Sequence, residues 1–339
     1  MNFESTIKTS NLSIGYKKGK KKSVVLEGIN IELCGGELVC LLGVNGSGKS
    51  TLIRTISGFQ PPLEGSVSIN GKELDDYSRL NLAQKISVVL TDRVSGTNLN
   101  VYDLVSLGRY PYTNWFVSLS ENDQKAIDHA IELAGINDLL QRKIYELSDG
   151  QLQKCMIARA LAQDGPIMIL DEPTTHLDLN NRVEIMRLLR TLAHNQDKTI
   201  LVATHELDLA LQMADSFLLI SSEGILKGMP EDLILSGALD NVFQLKGYDL
   251  KSGRAVFLPT KKLRIVVEGD GYCKLWTKNA LERNGFNVDE NRHDLVLKVS
   301  ESDNKSCKWS INWSGKQQIF LSVSELIAFL LSINSKLNK

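Results

Sequence analysis

Eight consecutive residues, Gly43-Val44-Asn45-Gly46-Ser47-Gly48-Lys49-Ser50, satisfy the pattern G-x-x-x-x-G-K-[ST], whose chemistry is the cradling of a phosphate chain. Glycines let the backbone curl so that successive amides point inward at phosphate oxygens. The start of a following helix adds the positive end of its dipole. Lys49 can then reach the β- and γ-phosphates, and the Ser50 hydroxyl can ligate Mg2+. Thr51 completes the set of residues expected against the nucleotide.

The stretch "GPIMILDEPTTHLDL" supplies the carboxylates. Its apolar run from Ile167 to Leu170 reads as a strand buried on both faces of a parallel sheet. Asp171 then falls at the strand's carboxyl end, where open α/β sheets gather ligands, and can hold the hydration shell of the metal. Glu172 is placed to polarise an attacking water. In "KTILVATHELDLALQMAD" a further strand ends at Thr204 with His205 next. An imidazole there can bond a γ-phosphate or fix the catalytic carboxylate. The catalytic candidates are thus Glu172, His205 and Lys49. His129, His176, His194 and His293 carry no such signal.

One further segment, "LSDGQLQKCMIARAL" from Leu147 to Leu161, starts a helix with more care than a helix needs. Ser148 and Gln151 have the spacing of a capping box, Leu147 and Leu152 that of a hydrophobic staple. Leu152, Met156 and Ala160 recur on one helical face. Local physics accounts for the helix but not for any wider role of its first turn.

The elements that must position these groups come from a chain of 339 residues, 42% hydrophobic and 23% charged, long enough for more than one domain. The phosphate loop requires a strand before it and a helix after it, read here as Glu37 to Leu42 and a helix from about Lys49. The longest apolar stretch, "LIAFLLSI", is far short of the ~20 residues of a bilayer helix. The N-terminus lacks the basic and apolar regions of an export signal. Five cysteines (Cys34, Cys40, Cys155, Cys273, Cys307), odd in number and without CxxC spacing, argue against a zinc knuckle and a disulfide framework, with a reducing cytoplasm as the default. From Lys246 onward there are 16 basic and 10 acidic residues, a balance of +6, which leaves −7 for residues 1–245 given the overall −1. That contrast marks a separate C-terminal module.

Phosphate loop, "LSDGQ", "ILDEP", "THLD" and an isolated histidine after a strand stand in the order found in the nucleotide-binding subunits of ATP-binding-cassette (ABC) transporters, which residues 7–245 resemble. The resemblance implies an α/β P-loop NTPase fold of the ABC type, over residues 1–245, with a helical subdomain at about 92–163. It also implies ATP hydrolysis with Mg2+, and a homodimer in which the helix start at Ser148, Gly150 and Gln151 touches ATP held by the other subunit. Asp178 would belong to the loop linking the paired sites. Tyr16 resembles the aromatic residue that stacks on adenine, although a strand tyrosine can equally be plain packing. "VYDLVSLGRYPYTNWF" is similar to the helical subdomain of importers for ferric siderophores, haem and cobalamin. Two helical patterns are expected to follow it between Ser120 and Leu140. The implied partners are two membrane permease subunits and an extracytoplasmic substrate-binding protein, with the chain peripheral at the cytoplasmic face of the plasma membrane.

Two positions depart from the family. Asp149 stands where glycine is usual; a carboxylate suits a helix start but would repel phosphate, so it is expected to point away from the nucleotide. Where a metal-sensing glutamine is expected, the strand in "KISVVLTDRV" delivers Thr91, with Asp92 next, and either oxygen could approach the ion through water. Residues 246–339 read as a small α+β domain, with strands in "KLRIVVEG", "HDLVLKVS" and "CKWSINWS" and helices in "CKLWTKNALERNGF" and "SVSELIAFLLSIN". Its role stays open between regulation and dimer support. Its Trp276, Trp309 and Trp313 suit core packing, with base stacking the alternative. Cassette ATPases acting on nucleic acid or ribosomes are the rival class. The coiled-coil heptads, zinc cysteines and second cassette typical of that class are missing, so no nucleic-acid partner is expected.

Overall fold

The computed structural model describes residues 5–19, 21–90, 98–113, 118–245, 247–250, 254–255, 258–289, 293–301 and 307–337. The chain divides into two compact units, Met1–Gln244 and Leu245–Lys339.

The first unit is built on a six-stranded sheet ordered Gly224–Gly228, Ser216–Ser221, Leu38–Leu42, Thr199–Ala203, Ile167–Asp171 and Ile86–Val89. All neighbours are parallel except the first pair, a hairpin. Leu38–Leu42 and Thr199–Ala203 are buried at every position, which explains their unbroken apolar sequence: a strand covered on both faces has no polar side to alternate. A second, antiparallel sheet places Ser5–Lys18 between Lys21–Ile29 and Glu64–Ile69. Ile7, Leu12 and Ile14 of that sheet share one core with Leu41, Ile169 and Leu201 of the first, and Leu52, Ile53 and Ile56 of the helix Lys49–Ile56 fill it. The helix that carries Lys49 and Ser50 is thereby fixed against the strands it must serve. Where Ser5–Lys18 turns into Lys21–Ile29, Lys17 faces Lys22 and Lys18 faces Lys21, with Gly19 left-handed.

The helical subdomain contains Val101–Ser106, a 3-10 stretch Leu107–Tyr112, and the helices Glu121–Ala134 and Asp149–Ala162. Ser120, like Asn100 and Ser148, closes a full capping box. Of the two helical patterns expected between Ser120 and Leu140 only the first is an α-helix. A left-handed Gly135 ends it, and the remainder is the 3-10 turn Asn137–Leu139. Arg109 and Asp123, both buried, pair at 2.8 Å. Arg109 also donates to the carbonyl of Ala162, the last residue of the "LSDGQ" helix, at 2.8 Å.

The second unit carries a sheet ordered Asn287–Val288, Arg264–Glu268, Leu295–Glu301, Cys307–Trp313 and Lys316–Phe320. The helices Gly271–Arg283 and Val323–Leu337 contribute Leu281, Leu326 and Leu330 to a core with Ile265, Leu297 and Ile311. Trp309 lies in that core and donates from Nε1 to Thr277 Oγ1 at 2.7 Å, whereas Trp276 is exposed. The strand Lys316–Phe320 escapes the sequence patterns. The turn that creates it is legible, because Ser314 and Gly315 both adopt positive φ, as a two-residue hairpin requires.

The cysteines, whose number and spacing argue against a disulfide framework, nevertheless include one bonded pair. Cys273 and Cys307 are joined, tying the helix Gly271–Arg283 to the strand Cys307–Trp313 across 34 residues of sequence. Their proximity is created by the helix crossing the sheet, so no short-range spacing announces it. Cys40 and Cys155 are buried and free.

Candidate functional site

Sheet order brings the predicted chemistry to one edge. Thr199–Ala203 lies between Leu38–Leu42 and Ile167–Asp171, and Ala203 is paired with Leu41 on one side and Asp171 on the other. The three carboxyl ends therefore sit side by side, one leading into Gly43–Ser50, one ending at Asp171 and Glu172, and the middle one running through Thr204 to His205.

The phosphate loop uses its glycines where they are needed. Gly46 and Gly48 hold φ of 79° and 104°, and a Cβ at Gly48 would meet Val25 at 2.6 Å. Gly43 has a different constraint, since a Cβ there would lie 2.6 Å from Ser47 Oγ. That Ser47 hydroxyl is buried with no hydrogen-bond partner among the described residues, an orphan that a phosphate oxygen would satisfy. Asn45 sits in the same turn, with the Ser47 amide donating to Val44 O at 3.1 Å. Lys49 is 7% exposed and donates from Nζ to Gly43 O at 2.8 Å. Burial pushes its ammonium down, while the carboxylates of Glu172 and Asp171 pull it back up.

Ser50 hydrogen-bonds the Asp171 carboxylate, linking the loop helix to the acidic strand end. Burial raises Asp171 above its ordinary value, opposed chiefly by that bond. A hydroxyl and a carboxylate are two hard oxygens. Mg2+ prefers such a donor set when it shares its remaining sites with water and phosphate. Thr91 and Asp92 lie outside the described residues.

Glu172 occupies left-handed backbone, φ 50°, with its amide donating to Ala203 O at 2.9 Å. A non-glycine residue held there is costly, and such positions gather at active sites. Its Oε2 accepts from Thr175 Oγ1 at 3.1 Å, and its Oε1 lies 3.4 Å from His205 Nδ1. Tyr16 is 52% exposed on its strand, and its hydroxyl lies 3.0 Å from Thr51 Oγ1. The ring is thus held beside the loop helix rather than packed in the core.

The "LSDGQ" turn has its own geometry. Ser148 Oγ accepts from the Gln151 amide at 3.3 Å, and Gln151 Oε1 accepts from the Ser148 amide at 3.1 Å. Ser148 and Asp149 are exposed and Gly150 is buried. Asp178 caps the helix Leu179–Asn195, with Oδ1 accepting from the Asn181 amide at 2.9 Å. The amide bond at Asn181 holds the Asp178 carboxyl below its usual range. Sequence reasoning passed over three nearby polar residues, Asn181, Arg182 and Glu206; only Asn181 has a local signal, the three-residue spacing from a capping aspartate.

Residues 26–175 match the ABC transporter family, and residues 261–331 match the iron ABC transporter C-terminal domain. An uncharacterised ABC transporter ATP-binding protein of Methanocaldococcus jannaschii, MJ0873, is 42% identical over 71% of this chain and 82% of its own. The achromobactin transport ATP-binding protein CbrD of Dickeya dadantii and the iron(3+)-hydroxamate import ATP-binding protein FhuC of Bacillus subtilis are each 34% identical over 71% of this chain and 88% of theirs. Among solved structures, cbiO1 of Clostridium perfringens, part of the transporter complex cbiONQ, superposes with a TM-score of 0.60 at 30% identity, covering 70% of this chain and 95% of its own. The dimeric bacterial cassette MJ0796 gives 0.57 at 28% identity, over 66% and 98%.

Proposed function

The chain belongs to the ABC transporter ATP-binding family and hydrolyses ATP, and on that premise we propose how its residues divide the work of an importer for ferric siderophore, haem or cobalamin-type cargo. The alignment of Ala203 between Leu41 and Asp171 carries the proposal, because it gathers phosphate grip, carboxylates and imidazole at adjacent strand ends. The loop amides and Lys49 bind the phosphates, and Tyr16 takes the adenine face. Ser50 and Asp171 would hold Mg2+, with Thr91 or Asp92 as a further candidate ligand, and the ion would neutralise charge developing on the phosphates.

Glu172 accepts the proton of a water as its oxygen bonds to the γ-phosphorus. The bond from that phosphorus to the β–γ bridging oxygen breaks, and ADP and phosphate leave. His205, against Glu172, orients the carboxylate and the γ-phosphate. Ser148, Gly150 and Gln151 of the partner subunit close over the nucleotide, presenting a helix start to an anion, and Asp178 lies in the loop between the two sites. Relatives named for achromobactin transport and iron(3+)-hydroxamate import favour transport over a role on nucleic acid. The partners are then a second copy, two membrane permease subunits and an extracytoplasmic binding protein. The chain would act peripherally at the cytoplasmic face; among the described residues no helix is long and apolar enough to cross a membrane.

The test is Glu172→Gln in the full chain with its membrane subunits. Turnover is expected to fall by about 10²–10⁴ while ATP binding persists and an ATP-dependent dimer accumulates. A variant that stays monomeric with ATP, or hydrolyses at the parental rate, would overturn the assignment.

A further inference from the structure

We infer that one face of the helix Gly271–Arg283, carrying Tyr272 and Trp276 and ending at a basic cluster of Arg283, Lys261 and Lys262, binds the surface of an anionic lipid bilayer. The inference is independent of the nucleotide site proposed above, which lies in the other unit.

The helix buries its small side chains and leaves its largest ones in water. Cys273, Thr277 and Ala280 are buried together with Leu281. The bond from Cys273 to Cys307, and Trp309 Nε1 donating to Thr277 Oγ1 at 2.7 Å, hold that side of the helix against the sheet. On the outer side Tyr272 and Trp276 are 78% and 66% exposed. Four positions apart, they are neighbours on consecutive turns, and Asn279 and Arg283 continue the row. Neither ring belongs to the domain core, to which this helix gives Cys273 and Leu281. One exposed apolar residue needs no explanation, whereas two adjoining aromatic rings form a patch that calls for an occupant.

Charge selects that occupant. The helix carries Lys274, Lys278 and Arg283 against a single acid, Glu282. Just past its end the Gly285 carbonyl accepts from the amides of Thr260 and Lys261, at 2.9 and 2.8 Å, which fastens Lys261 and Lys262 to the same end as Arg283. Lys262 and Arg283 are both exposed. Residues 246–339 carry +6 where residues 1–245 carry −7, so an anionic surface attracts this unit and repels the other. Tryptophan and tyrosine are the side chains that settle at a bilayer's boundary with water, the ring against the acyl edge and the polar atom among the headgroups. Basic neighbours add attraction to anionic lipid. A single-stranded nucleic acid would also stack on such rings, but it needs a basic groove along its path, and here the exposed cations gather at one end of the row. Among the described residues no helix is long and apolar enough to cross a membrane, so the contact is with the surface.

The experiment mixes the purified full chain with vesicles of phosphatidylcholine alone, or of phosphatidylcholine and phosphatidylglycerol in equal parts. It reads co-sedimentation and the quenching of tryptophan fluorescence by brominated acyl chains. Binding is expected to the anionic vesicles only, weakening as salt is raised, with Trp276 quenched. Tyr272→Ser combined with Trp276→Ser should lower the partition coefficient at least about tenfold. Lys262→Gln combined with Arg283→Gln should lower it by roughly fivefold per charge removed, and serves the same test should the aromatic variant fail to fold. Thermal midpoint and ATPase rate should stay at the parental values, because all four side chains are exposed. Trp276→Phe should keep most of the binding and lose most of the quenching. No binding to anionic vesicles, equal binding to neutral ones, or a partition coefficient that survives both double substitutions would each overturn the inference. So would self-association without ATP that the aromatic variant abolishes, or a preference for oligothymidylate over vesicles, since the face would then belong to a second copy or to a nucleic acid. Glu172→Gln should bind vesicles as the parent does; if it does so yet never pairs on ATP, the nucleotide-site reading fails alone.

Discussion

Replacing Asp123 by asparagine tests how the "LSDGQ" helix is held in place. The Arg109 and Asp123 side chains are 8% and 6% exposed, so solvent screens their 2.8 Å contact very little. The second carboxylate oxygen accepts from both the amide and the hydroxyl of Ser120, at 2.9 and 2.6 Å. Asparagine can keep one acceptor for Arg109, but its NH2 then meets the Ser120 donors. The variant therefore leaves a buried guanidinium without a counter-charge and breaks the capping box of Glu121–Ala134. Breaking a buried pair in this way costs about 3–5 kcal/mol. Read as local opening, that is roughly a hundredfold to a few thousandfold faster amide exchange in Glu121–Ala134 and Asp149–Ala162. Hydrogen exchange of the full chain, resolved by peptide, is the assay. The apolar double variant Arg109→Met, Asp123→Leu should recover most of the loss, because a matched apolar pair is often no less stable than a buried ion pair. Acid should mimic the single variant. The Ser120 bond, foremost, and Arg109 hold the Asp123 carboxyl below its ordinary value, so its stabilisation is complete above the unfolded value of about 4 and is lost as pH falls through the folded one. Exchange accelerated less than about tenfold by Asp123→Asn would refute the claim that this pair secures the helix whose start serves the partner's nucleotide.

Reduction of Cys273–Cys307 opens a 34-residue loop, worth about 4 kcal/mol on the loop-entropy relation. Calorimetry of the full chain should show one transition falling by on the order of 15 °C or more, and an unmoved scan would sink the expectation. Burial pushes the Cys40 and Cys155 thiols up to about 12, so both should resist alkylation in the native protein, and rapid labelling of either before unfolding would refute this. Gly150→Ala drives a methyl into Asn181; ATP binding by the chain should persist while turnover falls at least tenfold, and a parental rate would show that the contact is slack. Either Thr91→Ala or Asp92→Ala should raise the magnesium concentration needed for half-maximal ATPase activity. If neither does, the register assigned to that strand is wrong.

Local chemistry in the sequence determined the phosphate loop, the buried strand ending at Asp171, the capping box at Ser148 and the glycine-ended helices, because each depends on residues within a turn or two of one another. Apolar runs likewise foretold which strands are covered on both faces. Tertiary structure alone decided that Thr199–Ala203 inserts between Leu38–Leu42, which leads to Lys49, and Ile167–Asp171, placing His205 against Glu172. It alone brought Cys273 to Cys307, Arg109 to the far end of the "LSDGQ" helix, and Arg182 to Glu206. These contacts join residues 24 to 53 positions apart, and the order of strands and the crossing of helices set them. No short-range periodicity encodes a distance of that kind, because the pairing energy is realised only after the sheet has chosen its neighbours.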